Sequence, residues 1–187
     1  VTTAGIVAML TPGLFVYSDF VKVPDNAETV EVMGSQWQWR YRLPGEDGVL
    51  GTTAARFTTA TNPYGINPGD PNGKDDILIQ GSQLHLLRDQ PVKLLLRSKD
   101  VLHDFNVPEF RVKMDMVPGQ VTYFWFTPTR VGTFDVLCAE FCGIGHFNMR
   151  GQVVVDETDD YRRWLAKQPT YEAAQAPDSA PVGDRLA

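Results

Sequence analysis

GTFDVLCAEFCGIGHFNMRGQVVV, Gly132–Val155, reads as strand, loop, strand. Apolar and polar side chains alternate through TFDVLC, and GQVVV resumes as an apolar, β-branched run; both are marks of sheet-forming segments. Between them lie both cysteines of the chain, Cys138 and Cys142, one of its three histidines, His146, and Met149. A loop held at each end by neighbouring strands presents its side chains rigidly. Two thiols, an imidazole and a thioether form a soft-to-borderline donor set, which suits copper rather than magnesium or calcium. The thioether also separates the set from zinc sites, which draw on Cys, His and carboxylate.

A copper site of this kind asks for a second imidazole. His85, in GSQLHLLRDQ, reads as a strand-edge residue. His103, in SKDVLHDFNVPEF, ends an apolar strand where it runs into a Pro-bounded loop, well placed to meet the cysteine loop from an adjacent strand. With His103 included, two bridging sulfurs can hold two coppers, each taking one histidine. One copper adds the Met149 sulfur and the other the backbone carbonyl of Glu140. A shared dithiolate spreads one electron over both metals, so a redox change moves the ligands little, and no position stays open for a substrate. Three plainer readings stand beside this one. A Cys138–Cys142 disulfide leaves His146 and Met149 without a role. A Cys₂His₂ zinc site has no use for Met149. Chance clustering makes Met149 a core filler.

Outward from the loop, further strand signals occur in ETVEVMGSQWQWRYRL, divided at Gly34, and in ILIQG, PVKLLLRS, VLHDFNVP and QVTYFWF. Six or more short strands separated by turn residues predict an all-β sandwich or small barrel. Residues 44–76, rich in Gly, Pro, Asn, Asp and Thr, predict a long surface excursion with Asp70, Asp75 and Asp76 solvated. ETDDYRRWLAKQ carries acids in its first turn, a basic residue near its end and Pro169 beyond, the punctuation of a short helix. The remaining YEAAQAPDSAPVGDRLA is expected to be a loose tail. The opening VTTAGIVAMLTPGLFVYSDFVKVP lacks the basic region and cleavage site of a secretory signal. Slightly short of about 20 uninterrupted apolar residues and broken at Thr11-Pro12-Gly13, it reads as the exit of a membrane helix, or alternatively as a terminal element packed on the domain. The expected organisation is therefore a membrane exit and linker at 1–23, one β-domain at 24–156 with its insertion at 44–76, and a helix and tail at 157–187.

The formal net charge of −6, from 23 acidic and 17 basic side chains, argues against nucleic acid as a partner and fits a basic protein better. No GxxxxGK[ST] or GxGxxG phosphate cradle occurs.

DVLHDFNVPEFRVKMDMVPG followed by GTFDVLCAEFCGIGHFNMRGQVVV resembles subunit II of the haem–copper cytochrome c oxidases, and SQWQWRYRLPG is similar to that family's aromatic segment. The resemblance covers Val30 to Asp156 apart from the insertion. It implies a cupredoxin Greek-key barrel carrying the binuclear copper centre CuA. His103 and Met149 belong to one copper, His146 and the Glu140 carbonyl to the other, and Cys138 and Cys142 bridge them. The Glu140 carboxylate, by the same resemblance, reaches toward magnesium or manganese at the boundary with the catalytic subunit. Trp37, from the residues alone a strand aromatic packed on the barrel, matches the residue through which soluble cytochrome c delivers its electron. Asp100, Asp104, Glu109 and Asp135 are candidate docking acids for that donor.

The implied role is an electron-transfer subunit of a membrane-bound terminal oxidase, relaying electrons to haem in a catalytic partner that reduces oxygen to water. The copper domain would face the periplasm, or the equivalent intermembrane space. With no third cysteine there is no site for covalent haem, so the donor is separate. Glu140 sets the loop apart from that of nitrous-oxide reductases, which have Trp between the cysteines, and the complete ligand set sets it apart from quinol oxidases. A CuA-type nitric oxide reductase remains the alternative, since the difference lies in the catalytic partner.

Overall fold

A computed structural model describes residues 1–176. The chain opens with helix α1, Thr2–Val21, whose side chains are exposed throughout and which is long and apolar enough to cross a membrane. At 1.5 Å per residue it measures about 30 Å, the thickness of a bilayer's hydrocarbon core. The expected break at Thr11-Pro12-Gly13 is absent: the helix runs through Pro12. Proline deprives only one upstream carbonyl of its partner, and the Thr11 hydroxyl meanwhile donates to the Val7 carbonyl at 2.7 Å.

Ten strands follow: β1 (Glu28–Ser35), β2 (Gln38–Leu43), β3 (Ile77–Leu78), β4 (Gln83–Leu87), β5 (Val92–Ser98), β6 (His103–Val107), β7 (Val112–Met116), β8 (Thr122–Phe126), β9 (Gly132–Cys138) and β10 (Arg150–Asp156). They build two five-stranded sheets, ordered β3-β2-β1-β5-β8 and β4-β10-β9-β6-β7. The β1–β5 and β4–β10 pairs are parallel, so the chain crosses between the sheets instead of running as simple hairpins. Alternate residues point inward. Val30 and Val32, Trp39 and Tyr41, Leu94 and Leu96, Phe105 and Val107, Phe134 and Val136, and Val153 and Val155 meet in one core. The expected all-β sandwich is therefore the observed architecture.

β1 departs from simple alternation because both its faces are covered. The 44–76 segment packs over the outer side, where Tyr64 and Ile66 form a second cluster with Met33 and Tyr171. The insertion is thus more than a surface excursion, and of its three acids Asp76 is not solvated. Asp76 is fully buried and pairs with Arg42 of β2 at 2.5 Å. Asp70 accepts from the Thr52 N–H at 2.8 Å, and Asp75 from the Asp47 N–H at 3.2 Å. Gly34 lies inside β1 and does not divide two runs; the turn to β2 falls at Gln36 and Trp37. A Cβ at position 34 would stand 3.2 Å from the His103 ring, and that proximity accounts for the glycine.

The helix expected after Val155 is α2, Thr158–Leu165. Its Trp164 stacks on His85 of β4 at 4.4 Å, and the His85 Nδ1 meets Asp156 at 2.5 Å. His85 is a strand residue on a sheet edge, as expected. Part of the expected tail is structured: Tyr171–Ala174 form α3, capped by the Thr170 hydroxyl and held by the buried Tyr171. The tail from 177 to 187 lies outside the described residues.

Candidate metal centre

His103 begins β6 and Cys138 ends β9, two hydrogen-bonded neighbours paired at Phe105 and Cys138. Strand pairing thus sets one imidazole beside one sulfur. The β9–β10 loop brings the rest, closed by Cys138 N–H to the Met149 carbonyl at 3.3 Å and shaped by turns at Gly143–His146 and His146–Met149. Cys138 Sγ and Cys142 Sγ stand 3.7 Å apart, far beyond the roughly 2.05 Å of a disulfide. Both cysteines are free. His103 Nδ1 is 3.9 Å from Cys138 Sγ, and His146 Nδ1 is 3.6 Å from Cys142 Sγ. Met149 Sδ lies 3.8 Å from Cys142 Sγ, and the Glu140 carbonyl oxygen 3.1 Å from Cys138 Sγ. All six residues expected from the sequence therefore converge. Among them His103, Cys138 and Cys142 form a buried group whose donor atoms lie within 4.8 Å of one another, able to hold a metal ion.

The electrostatics favour a thiolate. Burial alone raises both thiols. At Cys138 the His103 imidazole and nearby backbone donors overcome that rise and pull the pKa down, whereas Cys142, buried against the same sulfur, is raised. Thiolate is the form that binds metal. The donor set fits copper chemically: two sulfurs unbonded to each other, two Nδ1 atoms turned toward them, one thioether and one carbonyl.

Trp37 lies above the loop, 38% exposed, its indole N–H donating to the Cys142 carbonyl at 3.2 Å. Its ring rests on Gly145, where a Cβ would come within 2.3 Å of the indole. Gly145→Ala should therefore displace Trp37 and cost about 1–3 kcal/mol of stability through overpacking. The check is a shift in tryptophan emission that disappears when the same change is made on Trp37→Phe.

The four candidate docking acids separate. Asp104 is fully buried, with no hydrogen-bond partner for either oxygen and Lys113 at 3.8 Å. Burial and the facing Asp115 push its carboxyl up to about 7, so it is no surface charge. Asp100 is committed inward, to the His103 Nε2 at 2.7 Å and the Gln36 N–H at 2.8 Å. Burial opposes its ionisation, but these donors and the Val101 N–H hold its carboxyl below the usual range. Glu109 is exposed but follows β6 at the end opposite His103; Asp135 is exposed on β9, three residues before Cys138 and on the other face of the strand. Sequence reasoning missed Gln36, whose side chain reaches Cys142, and misread Asp100, whose spacing of three residues from His103 was the available signal.

The family description "Cytochrome C oxidase subunit II, periplasmic domain" matches residues 28–158, from the start of β1 to the first residue of α2. The chain is 58% identical over 170 residues to "Alternative cytochrome c oxidase subunit 2" of Bradyrhizobium diazoefficiens, covering 91% of this chain and 61% of that protein. It is 30% identical to "Cytochrome c oxidase subunit 2" of Cereibacter sphaeroides, covering 97% and 64%. It thus spans less than two thirds of the length of either relative. In fold it is similar to the crystal structure of the periplasmic domain of subunit II of cytochrome oxidase (CoxB) of Bradyrhizobium japonicum. That match has a TM-score of 0.56 at 24% identity and covers 78% of this chain and 95% of the other. The chain belongs to the cytochrome c oxidase subunit II family.

Proposed function

We propose that this chain is the electron-accepting subunit of a membrane-bound terminal oxidase, and that it holds a binuclear copper centre. The observation that carries the reading is the pair of free sulfurs 3.7 Å apart, flanked by two imidazole Nδ1 atoms at 3.9 and 3.6 Å. Cys138 and Cys142 would bridge the metals; His103 and Met149 would serve one, His146 and the Glu140 carbonyl the other. When bound, the pair supplies one-electron transfer with the unpaired electron shared between the coppers.

The protein's own contribution is rigidity and exclusion of water. Cys138, Cys142, His103 and Met149 are all buried, three of them at or beside strand ends, so the donors are held where oxidation and reduction ask little movement. Trp37 offers an exposed ring edge in contact with the Cys142 carbonyl, a short path inward for an electron from soluble cytochrome c. The catalytic haem subunit would be the acceptor. The half-buried Glu140 is the residue proposed to reach a magnesium or manganese ion at that boundary. The apolar, fully exposed α1 supports membrane anchoring, with the copper domain on the periplasmic or equivalent outer face.

Metal analysis combined with spin resonance on the full chain tests the reading. Two coppers per chain sharing one unpaired electron are expected; a single copper, or zinc alone, overturns it. Trp37→Ala should slow electron uptake from cytochrome c while the mixed-valence copper pair itself is retained. Stopped-flow reduction is the measurement, and unchanged kinetics would return Trp37 to a packing role.

A further inference from the structure

Gln36, in the turn between β1 and β2, bonds to both ligand-bearing segments. Its main-chain N–H donates to Asp100 Oδ2 at 2.8 Å, and Asp100 Oδ1 faces the His103 Nε2 at 2.7 Å. Asp100 is an ionised carboxylate and can only accept, so the His103 Nε2 carries a proton and donates it to Asp100. At the other end of the same residue, the side-chain Nε2 of Gln36 donates to the Cys142 carbonyl at 2.8 Å, beside the Trp37 indole at 3.2 Å. A continuous strap therefore runs His103, Asp100, Gln36, Cys142, joining positions that no single strand connects. The amide fits because position 143 is glycine, where a Cβ would stand 3.0 Å from the Gln36 Nε2.

The strap supplies what neither segment has alone. The loop carries the strongly exposed side chains Phe141, Ile144 and Phe147, so little hydrophobic burial holds its outer half. Asp100 is itself partly exposed and would swing freely without the N–H groups that pin it. A carboxylate on the remote nitrogen of a ligating imidazole fixes the ring's orientation, and its loss commonly changes metal affinity or activity 10–100-fold.

We propose that Gln36 is a positioning residue for the metal centre: from the β1–β2 turn it fixes the Cys142 carbonyl and braces the carboxylate that orients His103. Trp37 and the two ligand-bearing segments then form one rigid body. The assignment of a role toward copper rests on the reading above, but the strap itself is testable without metal.

The experiment uses the full chain in detergent, with Gln36→Leu, which keeps the bulk and removes the donor, and Gln36→Glu, which sets a carboxylate against the Cys142 carbonyl. In the metal-free protein, amide exchange at His146, Asn148 and Met149 should quicken about tenfold in Gln36→Leu, roughly the effect of losing one hydrogen bond, and further in Gln36→Glu. Strand amides in β1, β5 and β9 should be unchanged, which separates the strap from general destabilisation. After copper loading, Gln36→Leu should keep the wild-type metal content while its absorption maxima and hyperfine splitting shift. Wild-type loop exchange together with a wild-type spectrum in Gln36→Leu overturns the proposal. If the wild-type chain itself binds no copper pair, the functional reading fails, and the exchange comparison still decides the strap.

Discussion

Cys142→Ser is expected to abolish outright the purple, mixed-valence absorption proposed for the copper-loaded chain while leaving the sandwich folded. The two parts of that expectation come from different magnitudes. A serine oxygen is a hard donor and does not bridge two coppers as a thiolate does, so the shared-electron signature has no partial form to fall back on. Spin resonance should report a single copper holding its own electron, or no bound copper. Folding loses much less. Cys142 is 3% exposed, in the core cluster but on a loop at its margin. A hydroxyl there, without a strong partner, costs about 1–3 kcal/mol. That lowers the midpoint of unfolding without removing the ten strands, whose ladders do not run through position 142. His103→Ala should lose the same spectrum for a different reason. It removes one imidazole and leaves a void against Gly34, which has no side chain to fill it. Absorption, spin resonance and far-ultraviolet circular dichroism on each variant separate the two effects. A wild-type spectrum in either variant contradicts the ligand set.

The sequence was most legible where the chemistry is local. Cys138, Glu140, Cys142, His146 and Met149 fall within twelve consecutive residues, so their identities alone narrow the metal, and the flanking alternation names the strands that hold them. His103 was reachable because only one other histidine outside the loop, His85, competes with it. What stayed hidden depends on contacts between distant segments. The partners of Gln36 lie 64 and 106 residues away, beyond any periodicity. Asp104 sits next to a candidate ligand in a polar-looking run, yet it is fully buried beside Asp115 of β7, on the face of β6 opposite His103 and Phe105. The insertion misled for a related reason: its composition is that of turns, and turns are normally solvated. Here Tyr64 and Ile66 anchor it on β1, and Asp76 carries its buried end. Pro12 misled in the opposite direction: it costs one backbone hydrogen bond, yet α1 runs through it.

Arg42→Met should destabilise the domain by about 3–5 kcal/mol, the usual result of stripping one partner from a buried ion network. Arg42 is 3% exposed and binds Glu31 through Nε at 2.5 Å and Asp76 through a terminal nitrogen at 2.5 Å; that nitrogen also donates to the Gly51 carbonyl at 3.1 Å. Methionine fills much of the volume but leaves Asp76 with only the Gly51 N–H, while Glu31 keeps Arg97 at 2.7 Å. The burden therefore falls on Asp76. Burial already raises its carboxyl to about 6 in spite of Arg42, so without the guanidinium it rises further. A carboxyl whose folded pKa lies above its unfolded value favours the folded state when protonated, and that advantage is lost as pH rises through the folded pKa. The deficit relative to the wild-type chain should be largest near about pH 8 and shrink toward about pH 5, where Asp76 takes up its proton. Urea unfolding at the two pH values measures it. Arg42→Met combined with Asp76→Leu should recover most of the loss, because a buried charge network replaced whole by apolar side chains is often neutral. The copper spectrum should survive in both variants, since Arg42 makes no contact with the ligand loop and its strand register with Glu31 lies three residues from Gly34, where β1 meets His103. A deficit below about 1 kcal/mol that does not vary with pH would mean that Arg42 is hydrated in solution and that Tyr64 and Ile66 alone hold the insertion to the sheet.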